Sequence, residues 1–168
     1  VVSVICICFN HEVFVEHAIN SVLNQTYKNI ELIVVDNGSS DNSYSIIQEI
    51  IQKNPAIKFL RFSETVSNTK AFNAAFKQSS GTYLIDLSAD DVLLEDCIEN
   101  QVDFFAQQPD NVGLIFGNAY HINENGTRVK PYFEVDERDK VTDFLLHKTN
   151  YLRLLSTKSQ LIYSKNFS

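Results

Sequence analysis

Tyr83-Leu84-Ile85-Asp86-Leu87-Ser88-Ala89-Asp90-Asp91 reads as an apolar strand that runs straight into two adjacent carboxylates, with a helix expected beyond them. Paired carboxylates at the end of a strand suit a hard divalent cation. Mg²⁺ or Mn²⁺ takes one or two protein carboxylates and completes its shell with water and phosphate oxygens, so the pair points to a bound phosphate ester. The competing reading is a helix start, because Ser88-x-x-Asp91 ahead of Val92-Leu93-Leu94 also has the spacing of an N-terminal cap. The sequence around the stretch bears on that choice.

Upstream, Val2 to Cys8 is a nearly continuous apolar run rich in β-branched residues, the pattern of a strand buried on both faces of a parallel sheet. The period then changes: Val15, Ala18, Ile19, Val22 and Leu23 recur at helical spacing, with Asn10 or His11 near the start and Asn24-Gln25-Thr26 beyond the end. Ile30 to Val35 repeats the buried-strand pattern. Asp36-Asn37-Gly38-Ser39-Ser40-Asp41 is a dense turn cluster able to cap the helix that carries Ile46, Ile47, Ile50 and Ile51. A third strand, Ile57 to Phe62, leads to a helix near Asn68 to Gln78, and Tyr83 to Leu87 is the fourth strand. Leu94, Ile98, Val102 and Phe105 mark a further helix stopped by Pro109. Strands alternating with helices imply an α/β fold, a mostly parallel sheet covered by helices on both faces. Beyond Pro109 the pattern becomes antiparallel, with Val112 to Ile122 and Thr127 to Phe133 flanking the hairpin signal Asn123-Glu124-Asn125-Gly126.

The 168 residues, 44% hydrophobic and 21% charged, are enough for one globular domain with a sizeable core. A net charge of −7, with 14 Lys and Arg residues that form no run, argues against nucleic acid as a partner. A bound polyanion such as a diphosphate would need a metal to offset its charge. Cys6, Cys8 and Cys97 form neither an even framework nor a CxxC pair, so buried reduced thiols are expected, Cys6 and Cys8 on one side of their strand. No signal peptide precedes Val1 and no apolar run approaches the ~20 residues of a membrane span. A cytoplasmic setting is therefore expected, with peripheral association at the inner face of the membrane and the oligomeric state left open.

In open α/β sheets, ligands bind outside the carboxyl ends of the strands. Three polar clusters fall there: Phe9-Asn10 after the first strand, Asp36-Asn37 after the second and Asp90-Asp91 after the fourth. A nicotinamide or flavin dehydrogenase would use the same rim, but no GxGxxG follows the first strand. Nucleotidyl transfer would call for a glycine-rich or basic phosphate loop, and Cys6 to His11 contains no Gly, Lys or Arg.

Val2-Ser3-Val4-Ile5 with Phe9-Asn10, Ser21-Val22-Leu23-Asn24-Gln25-Thr26-Tyr27, Glu31 to Asp41, and Asn73 eight places before Gly81 with the acidic pair behind it form an ordered set. Together they resemble the nucleotide-sugar-binding part of family 2 glycosyltransferases over nearly the whole chain. The resemblance implies a GT-A (Rossmann-like) fold and transfer of a sugar from a nucleoside diphosphate sugar donor to an acceptor hydroxyl, with inversion. A saccharide or glycolipid acceptor, in surface polysaccharide or glycolipid synthesis, follows from the same likeness. It places Phe9 and Asn10 beside the base, Asp36 and Asn37 on the base and ribose, Asp90 on the ribose or metal, and Asp91 on the Mg²⁺ or Mn²⁺ ion.

Three positions depart from the family pattern: Ser88 for the first Asp of the DxDD-type motif, Asn37 for an Asp, and Ile7-Cys8 for a Pro-Thr pair. Leu161 to Lys165 resembles the strand that shortly precedes the acceptor-side segment, the usual source of the catalytic carboxylate. Residues 1–168 are accordingly read as one GT-A domain that stops before that segment, with the general base expected beyond Ser168. Glu134, Asp136, Glu137 and Asp139 read as a solvated acidic loop, His121 and His147 as structural or surface residues. Lys70, before the third helix, reads as a surface lysine or a diphosphate contact. The rival function is a non-catalytic GT-A module that binds nucleotide or protein.

Overall fold

The computed structural model describes residues 1–109, 112–117, 119–123, 127–131 and the backbone of 161–164. Strands and helices alternate as β1 (Val2–Cys8), α1 (Val15–Leu23), β2 (Ile30–Asp36), α2 (Ser43–Lys53), β3 (Lys58–Arg61), α3 (Asn68–Phe76), β4 (Tyr83–Ser88) and α4 (Cys97–Ala106). The order β3-β2-β1-β4 is parallel throughout, and β8 (Leu161–Ser164) and then β5 (Leu114–Phe116) extend the same sheet. By its internal contacts the chain divides into two compact units, Val1–Ile115 with Ile162–Ser168, and Phe116–Leu161.

Strand periodicity sorts the core into two layers. Val2, Val4, Cys6 and Cys8 of β1 share one face with Leu32 and Val34 of β2 and Ile85 and Leu87 of β4, under Val15, Ala18, Ile19 and Val22 of α1, Ile47 and Ile50 of α2, and Ile98 and Phe105 of α4. On the other face Ile5, Ile33, Val35 and Leu84 are buried, and α3, which packs against β1 and β2, buries Ala71 and Ala75. Each fully buried aliphatic side chain contributes roughly 1.5–3 kcal/mol relative to exposure. This is the expected α/β sheet with helices on both faces.

At the amino ends of the strands a polar tie holds the sheet. Glu31 Oε2 accepts the Ser3 hydroxyl at 2.5 Å and the Ser80 N–H at 2.8 Å, while Oε1 accepts Lys58 Nζ at 2.6 Å and the Ser80 hydroxyl at 2.8 Å. Burial alone would raise the pKa of Glu31, but the bonds from Lys58, Ser3 and Ser80 outweigh it and lower it to about 2. The Gly81 N–H donates to Ser3 Oγ, and a Cβ at Gly81 would lie 2.6 Å from that oxygen and 2.8 Å from the Val1 carbonyl, so glycine permits the close entry of β4.

The structure departs from the sequence reading at β4. No helix starts at Asp91; α4 begins at Cys97, and Leu94 is exposed rather than part of its apolar stripe. The segment between is held instead by long-range hydrogen bonds, described below. Asn42 is the N-cap residue of α2 and its own side chain makes no capping bond; Asp41, at the end of the Asp36–Asp41 turn, supplies one instead, its Oδ1 accepting the Ser43 N–H at 2.9 Å. β3 is shorter than expected, with Lys58 and Arg61 exposed at its two ends. Cys6 and Cys8 are buried side by side in the core, where burial, with Cys8 and Asp86 adding to it, pushes the Cys6 thiol far above its ordinary range.

In the second unit, β6 (Tyr120–Ile122) pairs antiparallel with β7 (Arg128–Pro131), with Tyr120 opposite Pro131 and His121 opposite Lys130. Asn123 Oδ1 accepts the Thr127 N–H at 2.9 Å. The Asn125-Gly126 signal itself lies outside the described residues. The single long strand expected from Val112 is two short ones, with Gly117, a residue common at strand breaks, between them. Among the described residues no helix is long and apolar enough to cross a membrane.

Candidate functional site

The carboxyl ends of β1, β2 and β4 meet on one rim, and the last residues of β1 join its two sides. The Cys8 carbonyl accepts the Asn37 N–H at 2.8 Å and the Ile7 carbonyl accepts the Ala89 N–H at 3.0 Å, which brings the turns after β2 and β4 to either side of the β1–α1 loop.

In that loop Phe9 is 41% exposed, an aromatic face open at the rim. Asn10 has φ 55°, a left-handed conformation that asparagine tolerates because its short side chain bonds locally. Its Oδ1 accepts the Ser40 N–H at 2.8 Å and its N–H donates to Ser39 Oγ at 3.0 Å. Glu12 and Asp41 continue the stitching: the Glu12 N–H donates to Asp41 Oδ2 at 3.0 Å, and Glu12 Oε2 accepts the Asn42 N–H at 2.9 Å and the Asn42 side-chain amide at 2.8 Å. Burial would raise the Asp41 carboxyl, but bonds from Ser43 and Glu12 draw it below the usual carboxylate range.

Asp36 is fully buried; Oδ1 accepts the Ser39 N–H at 3.0 Å and Oδ2 faces Arg61 Nε at 3.2 Å, while the Arg61 guanidinium lies 3.6 Å over the Tyr44 ring. Asn37 is also buried, and both polar atoms of its side chain engage Val66: Nδ2 donates to the carbonyl at 2.9 Å and Oδ1 accepts the N–H at 3.0 Å. Thus Asp36 and Asn37 stand on the expected rim with their side chains directed to protein partners.

At the end of β4, Asp90 and Asp91 are partly buried. The Ser88 hydroxyl donates to Asp90 Oδ1, and the Asp91 N–H donates to the Ser88 carbonyl at 3.0 Å, closing a tight turn. Two carboxylates and a hydroxyl at a strand end match the oxygen-donor chemistry of Mg²⁺ or Mn²⁺. Among the described residues no three His, Cys, Asp or Glu side chains converge as a cation cage, so phosphate and water oxygens would complete the shell of an ion held here.

Sequence reasoning places Ser21 and Gln25 in the ordered set but assigns them no role, and it is they that hold this acidic turn. Ser21 Oγ accepts the Leu93 N–H at 3.0 Å. Gln25, fully buried, donates to the Ser21 carbonyl at 2.9 Å and the Leu94 carbonyl at 2.6 Å, and its Oε1 accepts the Ile98 N–H at 3.0 Å. The signal was a Ser-x-x-x-Gln spacing at the end of an otherwise apolar helix face. His121 is exposed on β6 and Lys70 is exposed in the first turn of α3. Glu134, Asp136, Glu137, Asp139 and His147 lie outside the described residues.

The sequence profile of glycosyl transferase family 2 matches residues 3–162, and the chain belongs to that family. A Campylobacter jejuni relative described as a GalNAc(5)-diNAcBac-PP-undecaprenol beta-1,3-glucosyltransferase is 30% identical over 99% of this chain and 54% of its own. An uncharacterized glycosyltransferase of Haemophilus influenzae is 33% identical over 77% of this chain and 51% of its own. The chain therefore spans about half the length of these relatives. Among solved structures, a mannosyltransferase from Pyrobaculum calidifontis in complex with GDP-Man and Mn²⁺ superposes with a TM-score of 0.62 at 24% identity, covering 67% of this chain and 34% of that one. S. aureus TarS in complex with UDP-GlcNAc gives 0.58 at 23% identity, covering 63% and 31%. These likenesses establish the GT-A fold.

Proposed function

We propose that this chain is the donor-binding part of an inverting glycosyltransferase that takes a nucleoside diphosphate sugar, with Mg²⁺ or Mn²⁺, and passes the sugar to a hydroxyl of a saccharide or glycolipid acceptor. The observation that carries the reading is the acidic turn Asp90-Asp91 at the end of β4, beside the β1–α1 loop of a family 2 chain. Asp91, with Asp90 beside it, would hold the ion, and the Ser88 hydroxyl orients Asp90 in place of the carboxylate common at its position. When bound, the divalent ion supplies Lewis-acid stabilisation of the charge gathering on the departing nucleoside diphosphate. Phe9 offers a face on which a base can stack, and Asn10 stiffens the loop that carries it. The undecaprenol-linked name of the Campylobacter relative favours a glycolipid or surface-polysaccharide acceptor, and with it work at the cytoplasmic face of a membrane.

The test is calorimetric titration with UDP, GDP and dTDP, each with and without Mn²⁺, on the wild type and Asp91→Ala. Metal-dependent binding of one nucleotide, weakened at least about tenfold in the variant, is expected from the loss of a charged ligand. A folded wild type that binds none of the three would overturn the reading in favour of a module that binds protein without catalysis.

A further inference from the structure

The turn after β2 and the β3–α3 connection, residues 62–67, are joined by a seam that nucleotide binding by itself does not explain. The connection is fastened at its start by the Phe62 N–H, which donates to the Asp36 carbonyl at 2.9 Å, and by the Arg61–Asp36 ion pair. At its middle, Gly38 (φ 75°) lies so close that an added Cβ would sit 2.6 Å from Thr65 N and 2.7 Å from the Glu64 carbonyl carbon. At its end Val66 is held by both atoms of the Asn37 carboxamide, and Ser67 immediately caps α3 by accepting the Lys70 N–H. Glu64, Thr65 and Ser67 are exposed, so the seam presents its outer side to solvent beside the rim.

Building on the donor-site reading above, we propose that Asn37 is a positioning residue: its carboxamide locks the β3–α3 connection as a wall of the nucleotide site and does not itself read the base. The chemistry requires an amide. Val66 presents one donor and one acceptor, and an amide end matches both, whereas an ionised carboxylate can only accept. An Asp in place of Asn37 would set an anionic oxygen against the Val66 carbonyl in a buried position, where an unsatisfied or repelled polar group is costly. The Asn that departs from the family's Asp thus becomes intelligible as one half of a pair with its loop.

The test is Asn37→Asp and Asn37→Ala, read by amide hydrogen exchange of the ligand-free protein and by titration with UDP, GDP and dTDP in Mn²⁺. Residues 62–67 of both variants are expected to exchange about tenfold faster or more at pH 7, with β1 and β2 still protected. Affinity should fall by a similar factor for every nucleotide that the wild type binds, without a change of rank. In Asn37→Asp, lowering the pH toward 5 should restore protection of Val66, because a protonated carboxyl regains one donor and one acceptor. Asp36 and Asp41 of the β2 end and its turn, Arg61 and Glu64 of β3 and the connection, and His11 and Glu12 of the β1–α1 loop bonded to that turn are the charged and titratable groups nearby, and Asn37→Ala, which keeps all of them, controls for their titration. Unchanged exchange in 62–67, or a switch in nucleotide rank, would overturn the proposal, as would faster exchange with full affinity. Should Asn37→Asp fail to fold, the Asn37→Ala exchange and titration decide alone. Failure of the wild type to bind any nucleotide is a separate result: it removes the donor-site reading and this role with it.

Discussion

Glu31→Gln keeps the size of the side chain and removes its charge, which makes it a sharp probe of the tie at the amino ends of the strands. In the wild type each carboxylate oxygen meets one donor that cannot reverse its role, Lys58 Nζ on Oε1 and the Ser80 N–H on Oε2. Whichever way a glutamine amide is turned, its NH₂ must therefore face one of them; the Ser3 and Ser80 hydroxyls can rotate, but these two groups cannot. The pKa lowered from 4.5 to about 2 sets an upper limit of about 3 kcal/mol on the stabilisation by the charge. Lys58 is 43% exposed, and discounting for solvent screening on that side leaves about 2 kcal/mol, or roughly 4–8 °C in Tm for a chain of this size. Because the folded pKa lies below the unfolded one, this stability is fully present above about pH 4.5 and is lost as the pH falls through about 2. Urea or thermal melts of the two proteins from pH 7 down to pH 3 should show the gap closing, while nucleotide affinity holds, since Glu31 lies six residues, or ~20 Å of strand, from Asn37. A gap below about 0.5 kcal/mol at pH 7, or one indifferent to acid, would refute the reasoning.

Asp86, on the strand face beneath α3, has its pKa raised by burial from 3.8 to about 6, the opposite sign. Its ionised form costs stability above about pH 6 and nothing below about pH 4, so Asp86→Asn should stabilise by up to roughly 3 kcal/mol at pH 7.5, with the gain vanishing in melts at pH 4. Gln25→Ala leaves the Ile98 N–H without its buried acceptor and takes one of two donors from the Leu94 carbonyl, which keeps the Cys97 N–H. It should lower stability by about 2–4 kcal/mol in denaturant titrations and weaken Mn²⁺-dependent nucleotide binding through the loosened acidic turn.

What the sequence made legible was whatever periodicity encodes. The apolar runs Val2 to Cys8 and Ile30 to Val35 can be satisfied only by a sheet buried on both faces, and Val15, Ala18, Ile19 and Val22 are the buried stripe their spacing announces. The rim was legible as well, because strand ends in such a sheet converge. What local pattern does not carry is the partner of a polar side chain. The sequence marks Asp36 and Asn37 as rim residues, but that Asn37 pairs with Val66, 29 residues away, and Asp36 with Arg61 is visible only in the fold. The Ser88-x-x-Asp91 spacing suggested a helix because nothing nearby shows that Ser21 and Gln25 hold the following residues out of one.

The Gln25 bond to Leu94 spans 69 residues and that to Ile98 spans 73, which has a consequence for how the molecule is made. Closing such long loops costs entropy before any contact repays it, so the acidic turn gains its shape only after the first helix has docked on the growing sheet. During synthesis the anchors at Ser21 and Gln25 emerge long before the turn they hold, and wait for it. On the proposed donor-site reading, metal affinity would therefore be acquired late, as a property of the finished domain, and a chain caught half-folded would carry both carboxylates without the turn that arranges them.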